Sequence, residues 1–126
     1  MKIKRASPVL FVDSVEQTRD FFVRVGFAVS VEIPDGKAAG FAILERDGVQ
    51  VMVESRDNSN EPAAIRARSK TAKAAHVFVE VDDLEAVIAA LGRAEIVVER
   101  HKTFYNSDEL TYQEPGGHLV TFAQFA

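Results

Sequence analysis

Runs of apolar residues at strand and helix spacing divide the chain into two similar halves. The first half predicts a helix at residues 15–25 among strands at 3–12, 27–33, 38–46 and 49–54. The second half predicts a helix at residues 83–92 among strands at 75–81, 95–102, 109–114 and 118–125. Apolar residues at every second position indicate strands, and a spacing of three to four indicates helices. The order β-α-β-β-β therefore occurs twice, which predicts an α+β fold of two modules.

Residues that favour helix starts and tight turns lie at the ends of these segments. Ser14 is followed three residues later by Gln17, as in a capping box, and Asp13 with Glu16 fits the same pattern one residue earlier. Asp82 is likewise followed by Glu85. Gly26 suits the left-handed position that ends a helix. Turn-forming residues stand at 34–36, 47–48 and 115–117. The Asp-Gly pair at 47–48 is the strongest hairpin signal in the chain.

A polar segment interrupts the pattern between the halves. Residues 55–73 lack an apolar period, and they are basic from Arg66 onward. We predict a loop with a helical turn at 62–68, acting as a linker or a mobile flap. The basic run is interpreted as a solvated segment. The single domain then comprises module one at 1–55, a linker at 56–73 and module two at 74–126.

The two modules are related by an internal repeat at offset 69. This offset aligns residues 7–16 with 76–85. Identical residues then coincide at Val12 and Val81, Asp13 and Asp82, Glu16 and Glu85, and Gly48 and Gly117. Matching glycines and cap residues mark matching backbone geometry, so the chain is predicted to duplicate one module.

Alternation along the strands assigns side chains to two faces. One face is predicted to pack on the helices: Leu10, Val12, Val49, Val51, Val53, Val77, Val79, Val81, Val120 and Phe122. The opposite face mixes apolar and polar residues: Ser7, Val9, Phe11, Gln50, Met52, Glu54, His76, Phe78, Glu80, Leu119 and Thr121. Such a mixed face suits a lined ligand cavity. The alternative is a filled barrel interior whose polar groups are satisfied internally.

Composition narrows the function classes. The net charge is −4, whereas nucleic-acid-binding domains usually carry a basic face. The chain has no cysteine, which excludes disulfides and thiolate chemistry. No apolar run reaches the roughly 20 residues of a membrane-spanning helix, and no signal peptide is recognised. We therefore expect no nucleic-acid or membrane partner and a cytoplasmic location.

Common catalytic motifs are absent, and three histidines are the remaining candidates. No P-loop, nucleophile elbow or GxGxxG motif occurs. His101 and His118 are predicted to be surface residues at strand ends. His76 could act as a general base if Glu54 or Glu80 fixed its tautomer. The alternative is a packed or ligand-contacting histidine.

Three segments resemble the vicinal oxygen chelate superfamily of glyoxalases, bleomycin-resistance proteins and extradiol dioxygenases. They are PVLFVDSVEQTRDFFVRVGF at 8–27, HVFVEVDDLEAVIAAL at 76–91 and FYNSDELTYQEPGGHLVTFA at 104–123. The last resembles the closing segment of the family, with Glu-Pro-Gly-Gly at 114–117 in place of the commoner Asp-Pro-Asp-Gly. The resemblance implies paired βαβββ modules that form glyoxalase-like half-barrels.

The enzymes of this family bind a divalent metal at four strand positions. The resemblance maps these positions onto Ser7, Met52, His76 and Thr121. Only His76 is a good ligand, and Glu54 could add a second. Catalytic metals need three or more nitrogen or oxygen ligands. We therefore predict no metal and no cofactor.

The pattern is most similar to the metal-free bleomycin-resistance group, with Pro-Val-Leu at 8–10. In that group two chains dimerise, and ligands occupy interface grooves rich in aromatic and acidic residues. The resemblance implies a homodimer, which would also cover open sheet edges. The candidate ligand-binding residues are Phe11, Gln50, Met52, Glu54, His76, Phe78, Tyr105, Glu109 and Thr121.

We interpret the chain as a metal-free protein that binds a small, partly apolar or planar molecule, as in sequestration of an antibiotic or toxin. The alternative is a glyoxalase- or dioxygenase-like enzyme with a divergent or absent metal site. A third alternative is an interaction module with a filled cavity. The identity of the ligand does not follow from the sequence.

Overall fold

The computed structural model describes all 126 residues. The strands are β1 (Val9–Val12), β2 (Ala28–Asp35), β3 (Ala38–Arg46), β4 (Val49–Ser55), β5 (His76–Glu80), β6 (Glu95–Lys102), β7 (Ser107–Gln113) and β8 (Leu119–Phe125). The helices are α1 (Val15–Arg24), α2 (Ala63–Ser69) and α3 (Leu84–Leu91). None of these helices is long and apolar enough to cross a membrane.

The strands form two four-stranded sheets, in the orders β1-β4-β3-β2 and β5-β8-β7-β6. In each sheet the first strand runs parallel to the last strand of its module, and the other pairs are antiparallel. Val9 pairs with Met52, and at the repeat offset Phe78 pairs with Thr121. The same offset therefore relates the strand registers, which confirms the α+β fold of two βαβββ modules.

Residues 1–73 and 74–126 form two compact units. In the first unit, α1 begins at Ser14, whose hydroxyl accepts a hydrogen bond from the backbone of Gln17 at 3.3 Å. The helix buries one face against β3 and β4. Its buried residues are Val15, Thr18, Phe21 and Phe22, and the sheet contributes Leu10, Val12, Ala42, Leu44, Val51 and Val53. Burial of these apolar side chains is the main term that stabilises the unit.

The second unit repeats this arrangement around α3. Its cap is Asp83, whose carboxylate accepts from the backbone of Ala86 at 3.1 Å. The sequence prediction of Asp82 as the cap is therefore wrong by one residue. Asp83 is the repeat equivalent of Ser14, so the offset identifies the true cap. The core of this unit is formed by Leu84, Val87, Leu91, Leu110, Tyr112, Val120, Phe122 and Ala123.

The first strand is shorter than predicted. It begins at Val9, whereas the sequence pattern placed its start at residue 3. β1 has only β4 as a partner, and Val9 lies opposite Met52. The residue before Val9 is Pro8, which has no N–H to donate to the ladder, so the strand begins directly after it.

Two further predictions fail near hairpin ends. Pro34 lies inside β2, although it was predicted to begin a turn. β2 is an edge strand and its pairing shifts between Ile33 and Pro34, so the missing N–H costs no ladder bond. Val49 was predicted to pack under the helix but is 50% exposed, because it is the first residue of β4.

The segment 56–73 belongs to the first unit, and hydrogen bonds between its own residues hold it together. Arg56 donates from its guanidinium to the carbonyl oxygens of Ser69 and Ala72, at 3.3 and 2.6 Å. The Ser69 hydroxyl in turn donates to the carbonyl of Arg56. These bonds join the two ends of the segment that contains α2. The helix at Ala63–Ser69 lies within one residue of the helical turn predicted at 62–68.

Candidate functional site

In the first unit, the face of the sheet that points away from α1 carries two rows of side chains. Val9, Met52 and Ile43 lie opposite one another across β1, β4 and β3. Phe11, Glu54 and Phe41 form the next row, which we call the Phe11–Phe41 row. All except the exposed Val9 and the buried Glu54 are half-buried. A carboxyl group thus lies between two aromatic residues.

Gln50 belongs to a separate polar chain on the same face. The Ser7 hydroxyl donates to Oε1 of Gln50 at 2.8 Å. Nε2 of Gln50 donates to Glu45 at 2.6 Å. Arg5 also lies 3.5 Å from that glutamate. Gln50 is therefore held by internal partners, which fixes the orientation of its amide.

Glu54 is almost completely buried, with 5% of its surface exposed. Burial and the neighbouring carboxylate of Glu61 raise the pKa of Glu54 to about 7, against a small opposing effect of the Asn58 side chain. Glu61 lies in the segment after β4, where no sequence pattern indicated a partner. The raised pKa favours the protonated form of Glu54 over a wider pH range than for an exposed glutamate.

In the second unit, the equivalent face carries a chain of hydrogen bonds from His76. Nε2 of His76 lies 2.7 Å from the Thr121 hydroxyl. That hydroxyl lies 2.6 Å from the hydroxyl of Thr111. Both threonines are buried and His76 is exposed. The partner of His76 is therefore a threonine, not the Glu54 or Glu80 considered from the sequence.

Four aromatic residues gather at the far end of this face, and we call them the aromatic cluster: Phe78, Phe104, Tyr105 and Phe125. Ring centroids lie 6.4 Å apart for Phe78 and Phe125, and 6.1 Å apart for Tyr105 and Phe125. Phe104 stands edge-on to Tyr105 at 5.1 Å. At least 40% of the surface of each residue is exposed. The cluster is an apolar surface open to solvent.

A buried carboxylate adjoins the aromatic cluster. Glu109 is 7% exposed and accepts from the Tyr105 hydroxyl at 2.9 and 3.0 Å. The Ser107 hydroxyl donates to the same carboxylate at 2.7 Å and lies 2.7 Å from the Thr103 hydroxyl. The partners of Glu109 are thus hydroxyl groups, and it makes no salt bridge within 4 Å.

The predicted residues fall into separate groups within the two units. Phe11 and Glu54 share a row in the first unit, Met52 lies in the adjacent row, and Gln50 is in the polar chain. In the second unit, Phe78 and Thr121 are paired across β5 and β8. His76 bonds to Thr121, and Tyr105 to Glu109.

The sequence prediction missed Phe125, Ser107 and Glu61. Phe125 follows Thr121 by four residues in one strand, so alternation places both on the same face. Ser107 likewise stands two residues before Glu109 in β7. Alternation could therefore have identified both. Glu61 follows a loop, where no periodic signal exists.

His118 is a structural residue. It was predicted to be a surface histidine, but it is 2% exposed. Its ring Nδ1 accepts from the backbone N–H of Ala75 at 2.8 Å. The backbone N–H of His118 donates to the Glu114 carboxylate at 3.0 Å. Glu114 also accepts from the N–H of Gly116 at 2.7 Å. The closing turn therefore folds around a buried histidine, whereas His101 is exposed as predicted.

The donor set at the four mapped metal positions does not fit a hard divalent cation. Ser7 is engaged with Gln50, and His76 with Thr121. Met52 offers a thioether, which is a soft ligand. No group of three or more histidine, aspartate or glutamate side chains lies close enough to bind a metal.

The fold and sequence pattern match one protein family. The family described as the Glyoxalase/Bleomycin resistance protein/Dioxygenase superfamily matches residues 3–122. The chain belongs to this superfamily. No curated protein matches the sequence.

Several solved structures share the fold of this chain at low sequence identity. TioX from Micromonospora sp. ML1 is 21% identical, with a TM-score of 0.76 over 98% of this chain and 100% of that one. A bleomycin-binding protein complexed with bleomycin is 17% identical, with a TM-score of 0.66 over 98% and 100%. A lactoylglutathione lyase from Agrobacterium tumefaciens is 14% identical, with a TM-score of 0.72 over 98% and 95%. Because the identities are so low, these structures establish the fold alone.

Proposed function

We propose that this protein binds and sequesters a small, partly apolar or planar molecule without a metal ion. The observation that carries the proposal is the aromatic cluster beside the buried carboxylate of Glu109. A planar ligand would cover exposed ring surface, and burial of apolar area contributes about 25 cal/mol per Å². The bleomycin-binding protein, which has the same fold, is complexed with a small molecule.

The geometry of the aromatic cluster favours a flat ligand over a flexible chain. The rings of Tyr105 and Phe125 are inclined by only 35° to each other. Offset ring stacking adds about 0.5–1.5 kcal/mol beyond area burial. Glu109 would contribute a negative charge at the edge, which favours a cationic group on the ligand.

A thermal-shift scan tests this proposal. The probes are bleomycin, acridine and N-methylacridinium, applied to the wild-type chain, Phe78→Ala and the control Val49→Ala. Val49 is an exposed apolar residue of β4 outside the aromatic cluster. We expect one or more probes to raise the Tm of wild type and Val49→Ala, with a smaller rise in Phe78→Ala. Equal shifts in all three, or no shift with any probe, would contradict the proposal.

We also propose a homodimer and a cytoplasmic location. β2 and β6 are edge strands, and apolar side chains of both are exposed, including Val31 and Val97. A second copy could cover such edges. Light scattering should give twice the chain mass for wild type and the chain mass for Val31→Lys or Val97→Lys. A wild-type monomer at micromolar concentration would refute the dimer.

The exposed imidazole of His76 favours one second candidate, a metal-independent enzyme. Thr121 holds its Nε2 at 2.7 Å, so Nδ1 could exchange a proton with a substrate. A lactoylglutathione lyase has the same fold. Turnover in a lactoylglutathione lyase assay that is lost in His76→Ala but retained in His101→Ala would favour the enzyme over sequestration.

A further inference from the structure

Two threonine hydroxyls lie in line with the imidazole of His76 in the second unit. The Thr121 hydroxyl lies 2.7 Å from Nε2 of His76 and 2.6 Å from the hydroxyl of Thr111. Thr121 and Thr111 are only 2% and 6% exposed. The Thr111 hydroxyl hydrogen-bonds to Thr121 alone. Because buried hydroxyl groups have little access to water, both hydroxyl protons need acceptors within these two contacts.

One arrangement of protons satisfies both hydroxyl groups. In it, Thr111 donates to Thr121, and Thr121 donates to Nε2 of His76. If Nε2 carried the proton and donated to Thr121, the two contacts would use only one of the two hydroxyl protons. The other hydroxyl would lack an acceptor in a nearly buried position, which costs free energy. The satisfied arrangement makes Nε2 an acceptor and puts the proton of the neutral ring on Nδ1.

Nδ1 of His76 is available to a ligand beside the aromatic cluster. His76 is exposed, and its one side-chain hydrogen bond joins Nε2 to Thr121. Strand alternation places His76 on the same face as Phe78, which stands two residues further along β5. Phe78 is paired with Thr121 across β5 and β8. The imidazole that bonds to Thr121 therefore lies next to the Phe78 end of the cluster.

Carboxylates on the same face determine which kind of acceptor fits. Glu80 follows Phe78 by two residues in β5 and is exposed. Glu109 adjoins the aromatic cluster through its bond with Tyr105. Neither glutamate makes a salt bridge within 4 Å. Both carboxylates would repel an anionic group, whereas a carbonyl oxygen accepts a hydrogen bond without adding charge.

We propose that Thr111 and Thr121 hold His76 in the Nδ1–H tautomer, and that this exposed N–H donates to a carbonyl oxygen of a planar ligand on the aromatic cluster. The donor role rests on the proposed function, because it needs a ligand at that cluster. The ligand class is then a planar compound with a ketone, amide or lactam oxygen at its edge. The threonines are positioning residues, since they act on the ligand only through His76.

Nitrogen-15 NMR of the imidazole rings in the full wild-type chain tests the tautomer without a ligand. Protonated and unprotonated ring nitrogens have well-separated resonances. A long-range proton–nitrogen correlation at about pH 8 therefore shows which nitrogen of His76 carries the proton. We expect the Nδ1–H form to predominate by about tenfold or more, because the other form leaves one hydroxyl proton without an acceptor. A predominant Nε2–H form would overturn the proposal.

Two threonine variants test the cause of the tautomer. Thr111→Val removes the terminal hydroxyl, so Thr121 can either donate to His76 or accept from it, and both tautomers should be populated. The control Thr103→Val removes a hydroxyl that bonds to Ser107 instead, and His76 should keep the wild-type tautomer. A wild-type tautomer in Thr111→Val, or the same change in both variants, would overturn the positioning role of the threonines.

Calorimetry with two probes tests the donor role. N-methylacridone carries a carbonyl oxygen at its edge, whereas N-methylacridinium has the same rings and no acceptor atom. His76→Phe keeps a planar ring and removes the N–H. We expect this variant to bind N-methylacridone at least about fivefold more weakly than wild type, and N-methylacridinium within about twofold of wild type. Equal weakening of both probes would overturn the donor role.

The results also separate the donor role from the proposed function. If wild type binds neither probe, the proposed ligand site is wrong and the donor role falls with it, whatever the tautomer of His76. If His76→Phe does not fold, the wild-type spectrum remains decisive. Saturating N-methylacridone should then shift the Nδ1–H resonance of His76, and an unchanged resonance would overturn the donor role.

Discussion

The hydroxyl of Tyr105 donates to both carboxylate oxygens of Glu109, at 2.9 and 3.0 Å. This contact joins the aromatic cluster to a buried negative charge. Exposed aromatic residues are common on protein surfaces, but the hydroxyl of Tyr105 is fixed by its hydrogen bonds to Glu109. These bonds orient the ring of Tyr105 beside Phe125, at a ring-centroid separation of 6.1 Å.

Removal of the Tyr105 hydroxyl should weaken both stability and ligand binding. In Tyr105→Phe, Glu109 keeps the bond from Ser107 and loses the phenol donor. A hydrogen bond to a charged group contributes about 1.5–3 kcal/mol, and partial solvent exposure reduces this to about 1 kcal/mol. Urea unfolding of Tyr105→Phe should show this loss in the free energy of unfolding. A midpoint equal to that of wild type would mean that the hydrogen bond does not stabilise the fold.

Glu109 should determine whether the ligand site prefers a positive charge. N-methylacridinium and acridine have nearly the same shape, and only the first carries a permanent charge. We expect wild type to bind the cation more tightly by calorimetry, and Glu109→Gln to bind both about equally. A preference retained in Glu109→Gln would assign the charge recognition to another group.

The helix caps provide a test of the repeat geometry. Ser14→Ala and Asp83→Ala each remove a side-chain acceptor at a helix start and should cost about 1 kcal/mol. Asp82→Ala changes the neighbouring carboxylate, which is not the cap, and should stay within about 0.5 kcal/mol of wild type. Equal losses at Asp82 and Asp83 would contradict the assignment.

Two valines of one strand should differ strongly in their effect on stability. Val51 is 2% exposed, whereas Val49 is 50% exposed. Val51→Ala removes buried methyl groups and leaves a cavity, which costs about 2 kcal/mol. Val49→Ala should change the free energy of unfolding by less than about 0.5 kcal/mol. Denaturant curves of the two variants would contradict this burial pattern if they coincided.

The closing turn should depend on His118. His118→Ala leaves the N–H of Ala75 without its acceptor and opens a cavity, so we expect a loss of about 2 kcal/mol or more. His101→Ala, at the exposed histidine, should have little effect. Similar unfolding free energies for the two variants would show that the buried contact of His118 does not stabilise the fold.

The repeat made most of the fold predictable from the sequence. Its single offset relates the strand pairs of β1 with β4 to those of β5 with β8. Strand spacing and turn residues predicted every strand within a few residues except the start of β1. That start follows Pro8, whose missing N–H the apolar pattern alone did not take into account.

The candidate site was less predictable, because its groups meet through loops. Nothing in the local sequence indicated that Glu61 lies near enough to raise the pKa of Glu54, since residues 56–62 have no apolar period. His118 follows a turn and so had the local pattern of a surface residue. Only the fold shows that its ring accepts a backbone N–H from Ala75, the residue before β5.

The most direct test of the proposed ligand site is NMR mapping of the labelled chain with the acridine probes and bleomycin. If the aromatic cluster binds a planar molecule, saturable shifts should concentrate at residues 76–80, 104–109 and 121–125. The same titration of Phe125→Ala should need at least about tenfold more probe, which corresponds to about 1.4 kcal/mol. Shifts that lie elsewhere, or that do not change in Phe125→Ala, would contradict the proposed site.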